Sequence, residues 1–228
     1  MLASPEPISL VLASASPRRK QILRLLGAPF RTAAAGVDES PQPAESPPDL
    51  VRRLAQAKAL AVARRNPDVV VLAADTVVVF EGAVIGKPAD AEEASVILHR
   101  LRGRSHSVCT GVAVMQGGDD AGRVEVVETR VTMRAYTSGE IVDYVSSGDP
   151  LDKAAAYAIQ HPSFRPVERI VGCPASVMGL PLCTVSQMLS QLGIAVPSRS
   201  ARNCDPGSGR CGVASLLFRL PGDGQPPA

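Results

Sequence analysis

Tryptophan is absent from the 228 residues and aromatic side chains make up only 3% of them, which argues against a single-stranded nucleic-acid binder built on stacked bases. Lysine and arginine nearly balance aspartate and glutamate, for a net charge of +2, so no broad basic surface faces a nucleic-acid backbone. Any recognition of an anion is therefore local. No apolar run approaches the roughly 18 residues of a membrane span, and Met1 to Pro7 lacks the basic segment and apolar stretch of a signal peptide. These absences predict a cytoplasmic protein with no membrane and no nucleic acid among its partners. The five cysteines (Cys109, Cys173, Cys183, Cys204, Cys211) are scattered without a C-x-x-C pair, so they read as thiols and not as a disulfide framework or zinc site. Also missing are G-x-x-x-x-G-K-[ST], a G-x-G-x-x-G after a strand, and a G-x-S-x-G elbow. The common phosphate-cradling loops and a Ser-His-Asp hydrolase lose their signatures with them.

What is present begins with an apolar strand over Ile8 to Ala13, followed by Ser14-Ala15-Ser16-Pro17-Arg18-Arg19 and a helix carrying Ile22, Leu23, Leu25 and Leu26. Ser16 suits an N-cap and Pro17 a first helical residue. Two arginines in a first turn oppose the helix dipole by about 0.3 to 1 kcal/mol each, so a bound anion, phosphate above all, is expected to offset them. A loop over Gly36 to Asp49 leads to a helix over Leu50 to Arg65. Val69 to Phe80 reads as a buried strand, turned by Glu81-Gly82 toward Ala83 to Ile85. The pattern then predicts a helix over Ala91 to Leu101, a hairpin of Ser107 to Met115 with Val124 to Arg134, a helix from Thr137 to near Gly148, and a last helix over Leu182 to Leu192. An antiparallel hairpin beside buried strands predicts an α/β fold with a mixed sheet. The domain is expected to span 1–197. Residues 198–228, rich in Pro, Gly and Ser, read as a disordered tail with a short ordered piece over Val213 to Leu220.

Asp75 interrupts the apolar run Val69 to Val79, where an unpaired carboxylate costs several kcal/mol or changes its protonation. Either it caps a neighbouring backbone segment at a strand end or it is a functional carboxylate, with Thr76 able to support both. Its candidate partners are Glu39, Lys58, Lys87 and Lys153. Carboxylates suit Mg²⁺ and phosphate oxygens complete its shell, while lysine and arginine neutralise the remaining charge. Lys87 lies in Gly86-Lys87-Pro88, where Gly allows close backbone approach and Pro stiffens the loop. Asp149 and Asp152-Lys153 read as an ordinary turn. His106 has no second His or Cys at ligand spacing and reads as structural, and the amide of Gln160 could hydrogen-bond a base edge.

In order and spacing these segments resemble the Maf family of nucleoside triphosphate pyrophosphatases. The resemblance is carried by Ser14-Ala15-Ser16-Pro17-Arg18-Arg19, Val37-Asp38-Glu39, Ala57-Lys58-Ala59, Ala74-Asp75-Thr76, Gly86-Lys87-Pro88, Gly103 to Val108, Thr110-Gly111, Asp152-Lys153-Ala154, Tyr157 to Gln160 and Gly179-Leu180-Pro181, across Ile8 to Leu192. It implies an elongated mixed sheet flanked by helices in two lobes around a cleft, often as a homodimer. It also implies hydrolysis of nucleoside triphosphates to the monophosphate and pyrophosphate with a divalent cation, Mg²⁺ or Mn²⁺. By position, Asp75 matches the proton acceptor, and Arg18, Thr76 and Gln160 match positions tied to substrate choice. Glu39 matches the other recurrent acid, a metal ligand with Asp75. Arg19, Lys58 and Lys87 match basic residues facing the phosphates, and Ser14 falls with them among the substrate-binding positions. The ending Ile159-Gln160 resembles the branch acting on dTTP and UTP, so these or modified pyrimidine nucleotides are the expected substrates. Ala155 stands where many members have Gly. The rival expectation is a nucleotide-sensing regulator of cell division that binds without turnover; such a binder needs the basic residues but has little use for Glu39 and Asp75 together.

Overall fold

The computed structural model describes residues 9–117 and 122–197. Its elements run β1 (Leu10–Leu12), α1 (Pro17–Arg24), β2 (Phe30–Thr32), α2 (Pro47–Ala63), β3 (Val70–Phe80), β4 (Ala83–Ile85), α3 (Ala91–Leu101), β5 (Ser105–Gln116), β6 (Arg123–Met133), α4 (Ser138–Ser146), two short 3-10 turns (Asp149–Asp152 and Ala154–Ala156), β7 (Val167–Val171), α5 (Pro174–Val177) and α6 (Leu182–Gln191). Local chemistry sets the helix starts. Ser16, Ser46 and Asp90 each accept the backbone N–H three residues on, and Thr137 and Glu140 close a capping box.

The sheet has the order β2-β1-β3-β5-β6-β7, with β4 also paired to β3. β1 is parallel to β2 and β3, while every other pairing is antiparallel. The sheet is therefore mixed. Val70, Leu72 and Ala74 pack with α1 and α6 on one face, and the alternate residues Val71 and Ala73 pack under Ala55, Ala59 and Val62 of α2 on the other. Further along, Val78, Phe80 and Ile85 form a second core with α3 and α4. Fully burying a Leu, Ile or Val contributes about 1.5 to 3 kcal/mol before entropy is charged. β3 and β5 thus run through two packed halves.

The feature that positions the site lies on one edge of β3. β1 pairs with it as far as Leu72, where the Ala13 N–H reaches the Leu72 carbonyl at 2.7 Å, and β4 takes over the same edge only at Val78. Between them Ala73 to Val77 has a strand neighbour, β5, on its other edge alone.

Several expectations need correction. α2 begins at Pro47, inside the stretch read as loop, because Pro is tolerated in a first turn and Ser46 caps it. β7 and α5 were not anticipated: β7 is an edge strand with an intermediate and exposed pattern, so it lacks a hydrophobic signature. Cys109 is a free thiol as read, but Cys183 is disulfide-bonded. The expectations for 198–228, including Val213 to Leu220, lie outside the described residues. No helix among the described residues is long and apolar enough to cross a membrane.

Candidate functional site at the gap in the sheet

A cleft of about 900 Å³ opens at the unpaired edge of β3. It is lined by Ser14 from the β1–α1 connection, Arg18 and Arg19 from the first turn of α1, Glu39 from the loop between β2 and α2, Lys58 of α2, Asp75 and Thr76 of β3, Lys87 after β4, and Gln160 beyond the second 3-10 turn. The structure thus gathers every candidate binding and metal residue of the sequence reading in one cavity. Lys153 is not among its lining. It is 3% exposed and donates to the Asp149 carbonyl at 2.8 Å and to the Asp152 carboxylate at 2.7 Å, as a clamp on its own turn.

Arg19 is held from three sides. Its Nε donates to the Gly179 carbonyl at 2.9 Å, one terminal nitrogen to Ser14 Oγ at 3.4 Å, and the other to Thr76 Oγ1 at 3.2 Å. Burial pulls the guanidinium below its ordinary pKa, Asp75 and Glu39 oppose that shift, and Arg18 adds to it. Arginine stays protonated under such shifts, and the donors left over form a pre-aimed fork for an anion. Gly179 makes this possible at φ +97°, since a Cβ there would lie 3.3 Å from Arg19 Nε and 3.5 Å from Thr76 Oγ1.

The acidic side is built around an ammonium. Lys58 Nζ lies 2.6 Å from Asp75 Oδ1 and 2.7 Å from Glu39 Oε1. The Asp75 side chain is 10% exposed and that of Glu39 62%. Asp75 therefore sits within a strand, paired with Lys58, and not at a strand end as a cap. The close approach of α2 that delivers Lys58 depends on Gly111, which faces Asp75 across the β3–β5 ladder. A Cβ on Gly111 would stand 2.2 Å from the Val51 carbonyl oxygen of α2.

The opposite wall is assembled by backbone and ring contacts. Ala155 adopts φ 56°, the left-handed region, and its N–H donates to the Gly86 carbonyl at 2.8 Å, tying the loop that carries Lys87 to the segment leading to Gln160. The φ value explains why glycine suits this position. Tyr157, which lines the cleft, hydrogen-bonds His106 Nε2 at 2.7 Å. Burial pushes the His106 pKa down to about 4 and raises that of Tyr157, so both stay neutral and His106 serves structure. Neither buried amide atom of half-buried Gln160, Oε1 or Nε2, has a hydrogen-bond partner, and the buried Oε1 of Gln21, a cleft residue absent from the sequence reading, has none either. Buried amides are rarely left so. Thr110, part of the matched Thr110-Gly111 segment but given no role in the sequence reading, is 0% exposed, and its hydroxyl contacts Thr76 at 2.9 Å and the Ser176 carbonyl at 2.8 Å. The strand register, which sets Thr110 opposite Thr76, reveals that contact.

Among the described residues, no group of three or more His, Cys, Asp or Glu side chains is placed to hold a metal ion. The pair Glu39 and Asp75 still suits a hard divalent cation that takes the rest of its shell from phosphate and water. Lys58 bonds one oxygen of each carboxylate and leaves the second to other ligands.

Fold and cleft together define an α/β protein with a charged, nucleotide-sized cavity at an interrupted sheet edge. Residues 9–192 match the family model described as Maf-like protein, and the chain belongs to that family. Among its relatives, a protein of Myxococcus xanthus (strain DK1622) named dTTP/UTP pyrophosphatase is 48% identical over 195 residues, covering 84% of this chain and 96% of its own. Another with that name, from Thermomicrobium roseum (strain ATCC 27502 / DSM 5159 / P-2), is 44% identical over 208 residues, covering 91% and 94%. A solved structure of a HAM1 protein from Coxiella burnetii is similar with a TM-score of 0.41 at 18% identity, covering 69% of this chain and 92% of that one.

Proposed function

We propose that this chain is a nucleoside triphosphate pyrophosphatase that hydrolyses dTTP and UTP to the monophosphate and pyrophosphate. The observation that carries the reading is the shared cleft, which sets a fixed guanidinium and further cations against a carboxylate pair. A pure sensor has little use for that acidic half. The names of the relatives support the same activity and the pyrimidine preference.

In this reading Arg18, Arg19 and Lys87 hold the triphosphate and stabilise charge on its oxygens as the bond to the leaving pyrophosphate breaks. Asp75 orients the attacking water and takes its proton as the new bond to the α-phosphorus forms. Lys58 positions Asp75, and by pairing with Glu39 it ties an exposed acid to the cleft floor. Gln160, with both amide atoms unpartnered, meets the base. Glu39 and Asp75 would hold a divalent cation, which when bound would supply further neutralisation of the phosphates and activation of water.

The test is incubation of the full chain with a panel of nucleoside triphosphates and Mg²⁺, with pyrophosphate and monophosphate measured. Pyrophosphate release from dTTP and UTP, lost in Asp75→Asn, is expected. Orthophosphate with a nucleoside diphosphate, or undiminished turnover by Asp75→Asn, overturns the assignment.

A further inference from the structure

Two hydroxyls flank Arg19, and the structure gives them opposite polarity. Ser14 Oγ accepts from the Ser16 N–H at 3.2 Å and from Arg19 at 3.4 Å. With its acceptor sites engaged, it has its own O–H left to give. Thr76 is reversed by its neighbour. The Thr110 O–H donates to the Ser176 carbonyl at 2.8 Å, and a carbonyl can only accept. Thr110 has no second proton, so in its 2.9 Å contact with Thr76 it must be the acceptor and Thr76 the donor. The Thr76 proton is thereby committed away from the cleft. Of the two lone pairs on Thr76 Oγ1, one receives Arg19 at 3.2 Å and the other remains.

Thr76 lines the cavity as an acceptor, and Ser14 lines it as a donor. An ionised triphosphate offers acceptors alone, so it suits Ser14 and is repelled at Thr76. The ligand group at Thr76 must instead be an uncharged donor. We propose that Thr110, by fixing the direction of the Thr76 hydroxyl, is a positioning residue that makes position 76 select a nucleoside with a hydrogen-bond donor there, the imide N–H of uracil or thymine or a ribose hydroxyl. The proposal rests on the nucleotide reading above and adds the orientation of the nucleotide, with the phosphates toward Ser14 and the nucleoside toward Thr76. Cytosine carries a lone pair where uracil carries the imide N–H, so a fixed acceptor discriminates between them.

Thr110→Val removes the relay with little change of shape and lets the Thr76 hydroxyl rotate to donate into the cleft, whereas Thr110→Ser retains it. The experiment measures kcat/KM for UTP, CTP and 3′-deoxy-UTP with the full chain and both variants. Thr110→Val is expected to lower the UTP:CTP ratio, or for a sugar contact the ratio of UTP to 3′-deoxy-UTP, by about tenfold, the value of one ordinary hydrogen bond. Thr110→Ser is expected to stay within about twofold of the wild type, well inside that difference. A Thr110→Val enzyme slowed equally on all three substrates overturns the proposal, because a merely structural role lowers rates without moving ratios. Should Thr110→Val not fold, Thr76→Val removes the acceptor itself and must collapse the same ratio; unchanged ratios overturn the proposal. If the wild type turns over none of these nucleotides, the proposed activity fails, and the polarity is then decided by the ratio of equilibrium binding constants for UTP and CTP.

Discussion

Removing the ammonium of Lys58 should cost more stability than removing the charge of Asp75, although the two groups form one ion pair. Lys58→Met keeps the length and apolar stem of the side chain but strips the cation from between two carboxylates at 2.6 and 2.7 Å. Glu39, 62% exposed, returns to water at little cost. Asp75, 10% exposed, cannot. Breaking a buried pair by removing one partner costs about 3 to 5 kcal/mol. Asp75 lines an open cleft and keeps Arg19 in its field, so a loss of about 3 kcal/mol, the lower end of that range, is expected. Asp75→Asn leaves Lys58 its 2.7 Å contact with Glu39 and an amide oxygen in place of the carboxylate, for a loss of about 1 kcal/mol. Urea denaturation of the wild type, both single variants and the double variant at pH 7.5 without nucleotide measures these values. The double variant should be more stable than the sum of the singles implies, by about 1 to 2 kcal/mol. Lys58→Met as stable as the wild type, or Asp75→Asn the more costly of the two, refutes the picture of an ammonium that neutralises a buried carboxylate.

Other consequences are as direct. The unfolded chain protonates a histidine near pH 6.5 while folded His106 resists until about 4; stability is therefore whole above the first value, falls as pH drops, and has lost about 3 kcal/mol below the second. Denaturation curves between pH 7.5 and 4 should show that fall, and His106→Phe should flatten it. Gly111→Ala sets a methyl 2.2 Å from the Val51 carbonyl oxygen, so a loss at or above the top of the usual overpacking range of about 1 to 3 kcal/mol is expected in thermal melts. Gly179→Ala combines φ +97° with a contact of 3.3 Å to Arg19 Nε; kcat/KM should fall about tenfold or more, and a variant with wild-type kinetics counts against Arg19 as the anchored anion fork.

Much of the fold could be read from residue pattern because its elements carry strong local signals. The nearly continuous apolar run of β3, the capping box at Thr137 and the Ser16-Pro17 helix start each state their structure within a few residues. Where the local signal was mixed, the reading slipped: a Pro-Pro dipeptide looks like loop until Ser46 is seen to cap it, and β7 turns mostly intermediate and exposed side chains outward. The residues of the site were legible as a set, since charged and amide groups stand out against an apolar background. Their partnerships were not. Lys58 finds Asp75 across 17 positions and Thr110 finds Thr76 across 34, distances set by helix packing and strand register and by no local rule.

The same logic explains why the cleft lies where it does. Asp75 and Thr76 are consecutive in a strand, so their side chains project to opposite faces of the sheet. Asp75 accordingly meets Lys58 on the α2 side, while Thr76 meets Arg19 and Thr110 on the side of α1 and α5. In a fully paired sheet two such residues belong to separate layers and cannot line one cavity. Here both do, because the edge of β3 is bare between the last pairing with β1 at Leu72 and the first with β4 at Val78. A ligand entering at that gap reaches around the edge to both faces at once. Closing the gap, by extending β1 beyond Ala13 or β4 beyond Ile85 with residues that continue the ladder, should therefore abolish nucleotide binding even with every site residue retained. Isothermal titration with UTP measures it, and unimpaired binding in such an extended chain refutes the dependence of the site on the broken edge.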